Sequence, residues 1–160
     1  MNILIDVRLL TRAGQTGVGE YTQQLVEELI IRFPNHTYQL FYNGWRKSPL
    51  PQSWQQAPHV SIIDWRLPNK IFQALQLDVS HYFSPDIVFS PHIDFLNHGR
   101  LPRVLTIHDL SFLHFPQFFS RKQRLWHWLQ GVRRQVAKAA HLITDSQFTK
   151  NDLMETLQVA

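Results

Sequence analysis

Cysteine is absent from the 160 residues. That excludes disulfides and thiolate zinc sites, and it is compatible with a reducing compartment. No apolar run approaches the roughly 20 residues needed to cross a bilayer. At the N-terminus Asp6 and Arg8 interrupt the apolar run before it reaches signal-peptide length. The expectation is a soluble protein of the cytoplasm. Charged residues are few, 18% against 44% hydrophobic, which is the balance of a globular chain rather than a disordered one. The formal net charge is +4. That excess points to an anionic partner (a phosphorylated small molecule, a membrane surface or nucleic acid) without choosing among them. The 9 histidines include no His-x-x-x-His pair and no His-Glu-x-x-His signature, so no metal site is expected.

Short apolar runs alternate with helical patterns along the chain. "NILIDV" (2–7) reads as a buried strand, and from Val18 to Phe33 the residues Val18, Tyr21, Leu25 and Leu29 recur at helical spacing. Pro34 and Asn35 stop that helix. "TYQLFY" (37–42), "VSII" (60–63), "DIVFSP" (86–91), "RVLTIHD" (103–109) and "HLITDS" (141–146) read as further strands. A Pro- and Gln-rich loop is expected after Tyr42, a short helix over 69–77, a long amphipathic helix over 120–140, and a last helix capped by Ser146. Apolar strands alternating with helices predict a single Rossmann-like α/β domain, a doubly wound and mostly parallel sheet covered on both faces. In such sheets ligands bind outside the carboxyl ends of the strands. That places the loops after "LIDV", "IVFS", "LTIH" and "LITD" on one rim.

Three features compete for that rim. "GQTGVGEYTQQL" (14–25) sets glycines between a strand and a helix, where backbone N–H groups can face an anion. Its G-x-x-G-x-G spacing is neither the dinucleotide fingerprint nor a P-loop. Glycines that only make a turn with positive φ are the plainer explanation, and the two readings stand about even. In "TIHDLSF" (106–112), His108 and Asp109 follow an apolar run. A histidine there can bond a sugar hydroxyl or phosphate, or exchange a proton, with the acid orienting it. The alternative is a histidine that satisfies backbone groups at a strand end. His92 also ends a strand and can converge with His108.

The helix over 120–140 carries Arg121, Lys122, Arg124, Arg133, Arg134 and Lys138 and no acidic residue. Leu125, Leu129, Val132, Val136 and Ala140 form an apolar stripe expected to face the sheet, with Trp126 off it. A basic surface with aromatic residues can lie on anionic lipid or follow nucleic-acid phosphates. The solvated face of a core-packed helix is the commoner case.

These pieces in this order resemble the N-terminal half of a GT-B glycosyltransferase of family 4. The resemblance rests on "GQTGVGEYTQQLVEEL", "DIVFSPH", "PRVLTIHDLSFLHFPQFFSRKQRLWHWL" and "AKAAHLITDSQFTKNDL", and it is weakest over 43–82. It implies two Rossmann-like domains across a cleft, the N-terminal one holding the acceptor and the C-terminal one a nucleotide-diphosphate sugar. It implies that Gly17, Val18 and Gly19 face the donor diphosphate and acceptor. It makes His108 the residue contacting the transferred sugar, and it makes Asp109 and Ser146 substrate-side residues. His92 is grouped with them. The implied chemistry is sugar transfer with retention, needing no cofactor or metal, the leaving phosphate being stabilised by positive groups and helix dipoles. Glu20 departs from the resemblance, since a basic residue is common there.

On this view the 160 residues carry the acceptor side only, and the donor-binding domain is supplied in cis or as a separate chain. Such a chain alone is expected to be inactive. The expected partners are a sugar or lipid-linked acceptor and, through residues 120–140, the inner face of the membrane, but not nucleic acid. A dinucleotide-binding oxidoreductase would need an acidic residue ending the second strand, and "YQLFYNGW" has none. A non-catalytic module docking through its basic helix is the remaining alternative.

Overall fold

The computed structural model describes residues 1–11, 16–44, 50–67, 71–72 and 75–159. Six strands form one sheet: β1 (Asn2–Asp6), β2 (Thr37–Asn43), β3 (Val60–Trp65), β4 (Ile87–Ser90), β5 (Arg103–Ile107) and β6 (His141–Thr144). Their order is β3-β2-β1-β4-β5-β6, and every neighbouring pair is parallel. Alternate residues of each strand feed opposite faces. Ile5, Tyr38, Leu40, Tyr42 and Phe89 pack on one face with Val26, Ile30 and Trp54. Leu4, Phe41 and Val88 pack on the other with Phe72, Val79 and Leu96. Both faces are covered, so the strands read as continuous apolar runs, as the sequence suggested.

Helix α1 (Gly17–Arg32) follows β1. Thr16 caps it by accepting the Gly19 N–H at 3.1 Å. Its buried stripe is Thr22, Val26 and Ile30. Burying Val26 and Ile30 contributes about 1.5–3 kcal/mol each. The Phe33 N–H still reaches the Leu29 carbonyl, and Pro34 follows. The expected loop after Tyr42 contains a short helix, α2 (Gln52–Gln56). Trp54 is fully buried there, and its Nε1 donates to the Glu27 carboxylate of α1. Five residues are too few for a helical period to show in the sequence. The expected 69–77 helix lies partly outside the described residues. Helix α3 (Ser80–Phe83) precedes β4.

The region after β5 corrects the sequence reading. A short helix, α4 (Ser111–His114), and a 3-10 turn (Pro116–Phe118) lead to two helices, α5 (Arg121–Gln130) and α6 (Val132–Lys138). One helix over 120–140 was expected. Gly131 breaks it with a left-handed backbone, φ 58° and ψ 48°. Its N–H closes α5 on the Trp128 carbonyl at 3.1 Å, the usual role of such a glycine. The break redirects the apolar stripe. Val132 and Val136 pack on Leu105 and Ile107. Leu125 and Leu129 are each 57% exposed, whereas Trp126, expected off the stripe, is half-buried. Helix α7 (Gln147–Leu157) closes the fold, capped by Ser146, whose Oγ accepts the Thr149 N–H at 3.0 Å. No described helix is long and apolar enough to cross a membrane.

Candidate functional site

Strand order reverses between β1 and β4, so the loops leaving their carboxyl ends diverge and open a crevice. A cleft of about 280 Å³ occupies that end of the sheet. Val18, His92, Asp94, His108, Asp109 and Ser111 line it, with an apolar wall of Ile93, Phe112, Phe119 and Trp126. His127 completes the wall, its ring stacked on Phe112 at 4.3 Å. Burial holds the His127 imidazole below its ordinary pKa, against the opposing pull of Asp109 and Asp94.

Under the cleft lies an ion pair that the sequence reading did not single out. Arg8 donates from Nε to Asp6 Oδ1 at 2.8 Å and from Nη2 to Asp6 Oδ2 at 2.6 Å. Nη2 also donates to the Phe95 carbonyl at 3.0 Å. Burial alone would raise the Asp6 carboxyl; Arg8 and then His92 outweigh it and hold the pKa at about 2. His92 is 3% exposed. Its Nδ1 accepts the Asp94 N–H at 3.3 Å, and its Nε2 lies 3.7 Å from Asp6 Oδ1. The loop after β4 is thus tied to the end of β1.

His108 follows β5 and is held from four sides. Its Nε2 lies 2.9 Å from the Pro91 carbonyl, which can only accept, so Nε2 donates. Its Nδ1 lies 3.2 Å from Asp145 Oδ2, beyond the end of β6. The Tyr21 ring of α1 meets it edge-on, centroids 4.9 Å apart. The hydroxyl of Thr149 donates to the His108 carbonyl at 3.0 Å. Both ring nitrogens are engaged by protein oxygens, and a proton-transfer role would require one of these bonds to give way. Asp109 is exposed, and its Oδ1 accepts the Ser111 N–H at 2.9 Å.

The glycines sit differently from either expectation. Gly17 and Gly19 form the first turn of α1, and neither has a positive φ. The Gly19 N–H is taken by Thr16, and of Gly17, Val18 and Gly19 only Val18 lines the cleft. Gly14 lies outside the described residues. Ser146 faces its own helix and is not part of the lining. The structure therefore gathers Val18, His92, His108 and Asp109 and leaves Gly17, Gly19 and Ser146 beside them. Asp145 could have been found from the rim rule, since it follows "HLIT" directly. Asp6 and Arg8 carry no such signal, because a charged pair after a strand usually belongs to solvent.

A doubly wound parallel sheet with a lined cleft at its switch point defines a Rossmann-type ligand-binding domain. The family model for Glycosyltransferase Family 4 matches residues 15–160, and the chain belongs to that family. Its role is accordingly of the glycosyltransferase type. No curated protein matches the chain significantly.

Proposed function

We propose that the cleft is the acceptor side of a glycosyltransferase that moves a sugar from a nucleotide-diphosphate sugar to a glycan or lipid-linked acceptor, with retention. The observation that carries this reading is the meeting of Val18, His92, His108 and Asp109 in one cleft at the switch point of the sheet. Polar groups at the carboxyl ends of β4 and β5 can bond sugar hydroxyls, and the flat wall of Phe112, Phe119 and Trp126 suits the apolar face of a sugar ring. His108, fixed by Pro91 and Asp145, orients the transferred sugar. Gly17 and Gly19 allow close approach to the first turn of α1, where the helix dipole favours a departing phosphate. The donor would be bound mainly by a second Rossmann-like domain, in cis or on another chain.

The test is release of nucleoside diphosphate from a panel of nucleotide sugars. Turnover is expected with the donor-binding domain present and not with these 160 residues alone. Turnover by the 160 residues alone would overturn the division of labour.

A second reading has its own observation. Phe118 is 79% exposed and Trp128 75%, beside Arg121, Lys122 and Arg124 at the start of α5. Aromatic and apolar side chains among cations suit a surface of anionic lipid at the cytoplasmic face. Co-sedimentation with vesicles containing anionic lipid, lost in Phe118→Ser/Trp128→Ser, supports it. Equal sedimentation with neutral vesicles removes it.

A further inference from the structure

Arg103 opens β5, at the end of the strand away from the cleft, and is 1% exposed. Its Nε donates to Ser90 Oγ at 2.9 Å and its Nη1 to Gln135 Oε1 at 2.7 Å. Both acceptors are neutral. The third nitrogen, Nη2, is buried and has no hydrogen-bond partner among the described residues. Burial, and to a lesser degree Arg8, pulls the Arg103 pKa down to about 10 against the attraction of Asp6, so the group is still a cation at neutral pH. A buried cation with only neutral partners is costly unless something else compensates it.

A cavity of about 70 Å³ opens beside it, bordered also by His98, Gly99, Arg134 and Lys138. None of the described residues that line this cavity is acidic. The acid of the neighbouring loop, Asp78, abuts Gly99 behind the lining and is already engaged: its Oδ1 accepts the Ser80 N–H at 2.9 Å and its Oδ2 lies 3.6 Å from His81. His98 donates from Nδ1 to the Leu101 carbonyl at 2.9 Å, and burial, then Arg103, favours its neutral ring. The walls are built rather than incidental. Gln135 Nε2 donates to the Ile93 and Gln130 carbonyls at 2.7 and 2.8 Å, and Gln130 Oε1 accepts the Phe95 N–H at 2.7 Å.

We propose that this cavity binds a single phosphate group, with Arg103 at its floor and Arg134 and Lys138 at its mouth. Oxyanions take charge-assisted bonds from guanidinium groups readily, and such bonds are about twice as strong as neutral ones. The volume accommodates one tetrahedral anion or a few waters and excludes a nucleotide. The ligand is free phosphate or the terminal group of a slender phosphomonoester. The site is separate from the cleft, and its test does not depend on sugar transfer.

Calorimetric titration with inorganic phosphate, and in a second arm glycerol phosphate, at constant ionic strength decides it. Saturable binding is expected, at least about tenfold weaker in Arg134→Ala/Lys138→Ala with an unchanged circular dichroism spectrum. Tighter binding of glycerol phosphate assigns the site to a monoester, and tighter binding of inorganic phosphate assigns it to the free ion. Arg103→Met, which replaces the buried cation by an apolar chain, is expected to abolish binding. The double variant carries the test if Arg103→Met does not fold. No saturable binding by the wild-type protein, or equal binding by the wild type and the double variant, overturns the proposal.

Discussion

Asp6 and Arg8 face each other through two hydrogen bonds of 2.8 and 2.6 Å, with the carboxylate wholly shut off from solvent. The pair stands at the carboxyl end of β1, and the Arg8 guanidinium lies 5.0 Å from the centre of the Phe72 ring. Asp6→Asn keeps the shape and removes the counter-charge. It is expected to cost about 3–5 kcal/mol, because it removes the paired charge from a buried guanidinium. Urea denaturation measures this, and a loss below about 1 kcal/mol would contradict the assigned role.

The same pair sets an acid limit. The Asp6 pKa falls from 3.8 in the unfolded chain to about 2 in the fold. A depressed carboxyl stabilises fully above its unfolded value and loses that contribution as pH drops through its folded value. About 2 kcal/mol is therefore expected to disappear between roughly pH 4 and pH 2. In Asp6→Asn this component should be absent. Unfolding free energies across that range, wild type against variant, report the difference.

The start of α1 separates its two glycines. A Cβ at Gly17 meets nothing within 4 Å, whereas one at Gly19 comes 3.3 Å from the capping Thr16 Oγ1. Gly17→Ala is expected to stabilise by about 0.5 kcal/mol through the unfolded state. Gly19→Val should cost about 1 kcal/mol by disturbing the cap, leave the fold intact and, on the proposed function, abolish transfer when a donor-binding domain is supplied. Thermal melts and nucleotide-sugar turnover read both. Full activity in Gly19→Val would contradict the place given to this turn.

Gly131 divides α5 from α6 with a positive φ and open space around its Cα. Gly131→Ala is expected to cost about 1 kcal/mol from backbone strain alone. Gly131→Asn should cost less, because asparagine tolerates that conformation. A stabilising Gly131→Ala would mean that one continuous helix is preferred. Denaturation midpoints of the two variants distinguish these outcomes.

Much of this architecture is legible in the sequence. The strand runs around Ile5, Leu40, Val88, Leu105 and Leu142 are short and apolar, and their alternation with helices leaves little choice but a parallel sheet. The rim rule then brings His92 and His108 together from residues far apart in the chain. What was not legible depends on single backbone angles and on long-range pairing. Leu125 and Leu129 share a period with Val132 and Val136, and only the left-handed Gly131 separates their faces. Arg103 looks like an ordinary charge before a strand, and its burial follows from α6 lying across it. The glycines of the first loop carry a turn-like spacing, yet Gly17 and Gly19 adopt ordinary helical geometry, because Thr16 supplies the cap.

On the proposed function, the switch-point cleft with His108 in it organises sugar transfer. Nucleoside diphosphate release by the chain supplied with a donor-binding domain, compared with release by its His108→Ala variant, tests this most directly. Losing the side chain that Pro91 and Asp145 hold in place is expected to lower the rate about 100-fold while the melting temperature stays within a few degrees. Equal rates in the two proteins would remove His108 and its cleft from sugar transfer.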